Sequence, residues 1–162
     1  MNLIAMKHLF VAAAILSTSS SYAQTPTSLS ATTAQSIIQG CVEHAAKKRQ
    51  SHAIAVVDGS GSLITFLRMD RNSPGVADFA LLKARAVAHW QFSTEGMAKA
   101  AESTPGFGNV PGTVTVAGGV PIFSADGRTF LGAVGVSGES PQDDKTCGTA
   151  GILAAGFSDT RK

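Results

Sequence analysis

Apolar residues in the stretch 31–49 recur at helical spacing: Ala34, Ile37, Ile38, Cys41, Val42 and Ala45 fall at i, i+3, i+4 and i+7, while Gln35, Gln39, Glu43, Lys47 and Lys48 take the other side. That spacing predicts a helix that covers something with one stripe. His44 lies at the edge of the stripe. The period then shortens to two. Residues 52–58 (HAIAVVD) and 62–68 (SLITFLR) read as paired strands, joined by a turn at Asp58-Gly59-Ser60-Gly61. In the second strand Leu63, Thr65 and Leu67 share one face and Ile64 and Phe66 the other, so a sheet covered on both sides is expected. Helical spacing returns over 76–92, where Val76, Phe79, Ala80, Val87 and Trp90 form the apolar face and Asp78, Arg85 and His89 lie opposite. At about 100° per residue, Lys83 falls inside that apolar stripe. A lysine there either runs its stem out to water or meets a carboxylate or a ligand anion.

The second half predicts a short helix over 94–102 and a Gly- and Pro-rich loop over 103–112, long enough to be the lid or rim of a site. Residues 113–117 read as a third strand. The stretch 118–144 reads as strand, turn, strand and the start of a helix. Asp126-Gly127 is expected to form a two-residue type I′ turn. Ser140 is expected to cap the last helix, with Pro141 at its first position and Asp143 three residues after the cap. That helix, over 141–156, carries Cys147, Ala150, Gly151 and Ala154 on one side. The order α-β-β-α-(α)-β-β-β-α with tight hairpins predicts an α+β fold, a five-stranded antiparallel sheet with helices on both faces. Gly132, Gly135 and Gly138 recur every third residue in the last strand. Strand interiors avoid glycine, so the repetition suggests close approach of another backbone, a bulge or a bound ligand, or, if the chain is a structural module, a neighbouring subunit.

Composition narrows the classes. The chain has 162 residues and a formal charge of +2, with no basic run and no aromatic–basic interleaving, which fits one domain and gives no support to nucleic-acid binding. Residues 1–23 read as a signal peptide: Lys7 and His8, the apolar run from Leu9 to Leu16, then Ser21-Tyr22-Ala23 at the cleavage position. The run is too short to span a bilayer. Residues 24–30 form a polar lead-in, 31–162 the domain, and the expected location is periplasmic or secreted. Export permits a disulfide between Cys41 and Cys147; two separate buried cysteines are the alternative.

Few residues suggest chemistry. His44, at the stripe edge, is the first candidate for a ligating imidazole, ahead of His52; His89, beside Arg85 on a polar face, reads as solvated. Gly135-Val136-Ser137-Gly138 departs from a nucleophile elbow because Glu139 stands where a glycine is required. The N-terminus of the last helix, with Arg68 and Lys83, is the best anion-binding set, although Asp143 competes for the same amides.

Ala55-Val56-Val57-Asp58 before a Gly turn, Arg68-Met69-Asp70, Lys83-Ala84, Gly118-Gly119-Val120-Pro121, Gly132-Ala133-Val134-Gly135-Val136-Ser137-Gly138, Gln142-Asp143 and Ala150-Gly151 appear in one order over nearly all of the mature chain. This ordered set resembles the GlcG/HbpS group of haem-binding-protein-like domains (DUF336), which includes the C-terminal domain of PduO-type proteins. The resemblance implies a profilin-like three-layer α/β/α sandwich with a five-stranded sheet, homo-oligomers and, in some members, haem or another tetrapyrrole. Ala86-Val87 and Arg71-Asn72 depart from the family's usual residues. The expected function is an exported protein that binds a small molecule, haem or a related tetrapyrrole, at Arg68, Lys83, Gly118, Gly119, Val120, Pro121, Gly135, Val136, Ser137 and Gly138, with His44 on the iron. The alternatives are an enzyme acting on a small organic acid through Lys83 and Asp143, and an oligomerising structural module.

Overall fold

The structure is a computed structural model that describes residues 28–162; the expected signal peptide and most of the lead-in lie outside the described residues. Its elements are α1 (Ala31–Lys48), β1 (Ala53–Asp58), β2 (Leu63–Arg68), α2 (Pro74–Trp90), α3 (Thr94–Ser103), a 3₁₀ turn (Phe107–Asn109), β3 (Gly119–Phe123), β4 (Phe130–Ser137) and α4 (Pro141–Ala154). Each α-helix opens on a serine whose hydroxyl accepts an early amide: Ser30 from Thr33, Ser73 from Val76, Ser93 from Gly96 and Ser140 from Asp143. These bonds satisfy donors that a helix start leaves without partners. Ser73 followed by Pro74 places the start of α2 two residues earlier than its apolar spacing suggests.

The described sheet has four strands in the order β2-β1-β4-β3, all neighbours antiparallel. The expected fifth strand over 113–117 does not form. The outer edge of β3 already has other partners. Gly119 N–H donates to Thr94 Oγ1 at 2.9 Å, and Phe123 N–H donates to the Ser158 carbonyl at 2.8 Å. Pro121, on the same edge as Gly119 by the two-residue alternation, has no N–H to offer. The expected two-residue turn at Asp126-Gly127 is also corrected. Residues 124–129 make the connection, with Ser124 N–H bonded to Thr129 O, Gly127 N–H to Ser124 O, and Asp126 Oδ1 accepting from Arg128 N–H and Ser124 Oγ. Gly127 takes the expected positive φ (76°), but Asp126 does not, and its side chain instead braces the longer connection.

Two apolar layers flank the sheet. On one face α1 and α4 pack on Ile54, Val56, Val120, Ile122, Val134 and Val136. A buried disulfide, Cys41–Cys147 with Cα atoms 4.7 Å apart, ties α1 to α4. On the other face α2 packs on Ala55, Val57 and Ala133. The expectation that both faces are covered fails at β2. A bulge between Val56 and Val57 puts Leu63 opposite Val57 and Phe66 opposite Ala55, both on the α2 side. Helix α2 lies over β1, β4 and β3, leaving Leu63 46% and Phe66 38% exposed.

The glycine repeat in β4 is filled by the chain itself. Gly135 pairs with Gly119 across β3 and β4. A Cβ on Gly135 would lie 2.0 Å from Ala80 O and 2.5 Å from Ala84 N, and one on Gly119 would meet Lys83 O at 2.8 Å. Backbone of α2 therefore rests on backbone of the sheet, a distance only glycine allows. Gly132 is pressed against Val57 O of β1, and Gly138 against Ser51 O of the segment before β1. What lies against the triple glycine is neither ligand nor neighbour but α2 and the β1 region of the same chain.

Candidate functional site

Lys83 does not reach water. It is 1% exposed, and its Nζ donates to Asp144 Oδ2 at 3.0 Å and to Val136 O at 2.9 Å, with the Phe79 ring 4.8 Å away. Asp144, 2% exposed in the first turn of α4, also accepts from Glu139 N–H and from His52 Nδ1, each at 3.1 Å. Burial pulls the Lys83 ammonium below its ordinary value, and the Asp144 carboxylate opposes that pull. Gly118 closes over this cluster: a Cβ there would lie 2.6 Å from Lys83 Nζ and 2.5 Å from Val136 O.

Thus the sheet end brings together Lys83, Gly118, Gly119, Val136, Ser137 and Gly138, and buries all of them but Gly138, which is exposed. Val120 and Pro121 are buried in β3 beside them. Arg68 does not join; it is exposed at the end of β2, with Ala53 of β1 between it and Ser137 in the ladder. Asp143 does not meet Lys83. Its amide and carboxylate bond Ser140 Oγ at the helix cap, and Lys48 Nζ is 3.9 Å away. The capping bond from Ser140, then Gln50, holds the Asp143 carboxyl below the usual carboxylate range. The carboxylate missed in the sequence is Asp144. Its signal was there: residues 144, 147, 148, 151 and 152 make the buried stripe of α4.

A second polar corner lies where α1 ends. Arg49 in the left-handed conformation reverses the chain, and Gln50 N–H returns to Ala45 O. His44 Nε2, Gln50 Oε1 and His52 Nε2 are buried there without hydrogen-bond partners. Burial first, then the Lys48 ammonium, lowers the His44 imidazole below its ordinary value. No group of three His, Cys, Asp or Glu side chains among the described residues is arranged to hold a metal ion.

The open cavity is elsewhere. A hollow of about 540 Å³ on the outer side of α2 is lined by Leu82, Arg85, Ala86 and His89 of α2, Ser60 and Gly61 of the β1–β2 turn, and Gly112, Thr113 and Val114. Of the Gly- and Pro-rich loop over 103–112 only the last residue, Gly112, lines this hollow; Thr113 and Val114, expected in a strand, complete that rim. Aromatic contacts of Phe107 with Trp90 and Phe92, and a bond from Trp90 Nε1 to Gly112 O at 3.2 Å, hold that rim in place.

Comparison with known proteins places the chain. Residues 29–153 match the family model described as "Haem degrading protein HbpS-like". The protein GlcG of Escherichia coli is 36% identical over 110 residues, covering 67% of this chain and 81% of GlcG. The crystal structure of a double mutant of HbpS from Streptomyces reticuli superposes with a TM-score of 0.71 at 29% identity, covering 88% of this chain and 97% of that one. A crystal structure of a PduOC:heme complex matches the fold with a TM-score of 0.73 at 22% identity, over 83% and 99% of the two chains. A match over most of the described residues makes this chain a member of the HbpS-like family, the GlcG/HbpS group (DUF336).

Proposed function

We propose that this chain is an exported binding protein for haem or a related tetrapyrrole, with His44 as the iron ligand. The observation that carries the reading is His44 Nε2, a buried nitrogen with no partner on an imidazole whose surroundings disfavour its charged form. A neutral imidazole with a free lone pair is what haem iron takes. Lys47 and Lys48, on the following turn, are cations suited to propionates. When bound, haem supplies the iron and the absorbing macrocycle; the chain's part is to hold it and to shield one face. The family's description and the neighbour solved with heme support the same ligand class. The buried Cys41–Cys147 disulfide supports export to an oxidising compartment. The exposed Leu63 and Phe66, flanking a hollow of about 240 Å³ with Ala77 and Leu81, give the expected homo-oligomer an apolar edge. The enzyme reading loses its footing, because Lys83 is sealed and Asp143 is not its partner.

Haemin titrated at micromolar concentration into the purified chain is expected to give a Soret band that His44→Ala removes, with native mass measured on the same sample. No spectral change in the wild type overturns the proposal. A band retained in His44→Ala overturns the ligand assignment.

A further inference from the structure

The cavity on the outer side of α2 belongs neither to the sealed cluster nor to the His44 corner, and its chemistry is one-sided. Arg85 is exposed and forms no ion pair among the described residues. His89 stands one helical turn further along the same face. Thr113 Oγ1, on the opposite wall, is buried without a hydrogen-bond partner. No Asp or Glu lines the hollow. Asp58, at the adjoining turn, has its Oδ1 committed to Ser60 and Ser62. The remaining wall is apolar: Leu82, 52% exposed, with Ala86 and Val114.

We propose that this cavity is a binding site for a small organic acid, a carboxylate carried on an apolar body. A guanidinium presents paired N–H donors that match a carboxylate edge, and the Thr113 hydroxyl and His89 imidazole add single donors. Leu82, Ala86 and Val114 cover the hydrocarbon part. At about 540 Å³ the hollow falls within the range of small-molecule sites, mostly apolar with a few polar groups that fix orientation.

The chain reports on this site directly. Its single tryptophan, Trp90, donates its indole N–H to Gly112 O, and Gly112 is part of the cavity wall. Cyclohexanecarboxylate, transparent in the tryptophan band, is therefore expected to change Trp90 fluorescence saturably. Cyclohexylmethanol, the same body without charge, and Arg85→Gln with cyclohexanecarboxylate should each bind at least about tenfold more weakly, the loss of a charge-assisted hydrogen bond. Absence of a saturable change overturns the inference, as does equal binding of the alcohol, which would make the hollow merely apolar. Haemin added to the cyclohexanecarboxylate complex is expected to leave it intact; displacement would assign the cavity to the tetrapyrrole and overturn a separate site. Failure of haemin to bind at all would sink the haem reading alone and leave this one standing.

Discussion

Lys83 and Arg85 stand two residues apart on α2, and the fold treats them in opposite ways. Two residues of an α-helix are about 200° of rotation, so one cation points into the sheet end and the other out over the cavity. Lys83 is 1% exposed and bonded to Asp144 and Val136 O; Arg85 is exposed with no acidic partner among the described residues. A cation taken out of water must be neutralised where it stands, so its partner comes from the same chain. A cation left at the mouth of an apolar hollow keeps its hydrogen-bonding capacity for something else. The residue that looks anomalous in the sequence is thus a structural ion pair, and the residue that looks ordinary is the one placed to recognise an anion.

The comparison depends on how tightly α2 is seated, and Gly135 tests that most severely. Alanine there would put Cβ 2.0 Å from Ala80 O and 2.5 Å from Ala84 N, both backbone atoms that no side-chain rotation can move aside. The helix must lift off the sheet. The expected result is a loss of about 4 kcal/mol or more, read as failure to fold or a collapsed urea midpoint. A Gly135→Ala chain within about 1 kcal/mol of wild type would show that α2 has slack, and the sealed character of Lys83 would go with it.

Next in size is the pair itself. Asp144→Asn keeps an acceptor for Glu139 N–H and His52 but leaves the Lys83 ammonium buried without a counter-charge. About 3–5 kcal/mol should be lost, and Lys83→Met added to Asp144→Asn should restore much of it, since the uncompensated charge is then gone. A double variant no better than Asp144→Asn would mean that the charge is not what costs. The pH profile sharpens the test. Burial lowers the Lys83 value in the folded chain, so between that value and about 10.4 the unfolded chain binds more protons. Its charging is a cost, present in full below the folded value and relieved as pH rises towards the unfolded one. Wild-type stability should therefore rise with pH on the alkaline side relative to Lys83→Met.

How much of this was legible follows from range. Features set by neighbours in sequence were visible: the stripe of α1, the apolar run of β1, the Ser140 cap, and Lys83 inside an apolar face. Features set across the chain were not. The bulge at Ile64 of β2 moves Leu63 and Phe66 to one face, against strict alternation, and nothing local marks it. Residues 113–117 have strand-like composition, but Thr94 and Ser158, distant in sequence, hold the edge they would need. The capping role of Asp143 drew attention from Asp144, one position and about 100° further round the helix, where the buried partner of Lys83 sits. The glycine spacing was readable as a demand for close approach, while its occupant, α2, required the tertiary fold.

The smallest expected effect closes the comparison from the other side. Arg85→Gln removes a guanidinium that forms no ion pair among the described residues and borders open space, so folding stability should stay within about 0.5 kcal/mol of wild type. Set beside the several kcal/mol lost when Asp144 no longer answers Lys83, that near-zero value is the quantitative form of the contrast: one cation on α2 holds the fold and the other does not. A loss above about 1 kcal/mol for Arg85→Gln would show that the rim at 112–114 depends on the guanidinium, and the two cations would then differ in exposure but not in kind.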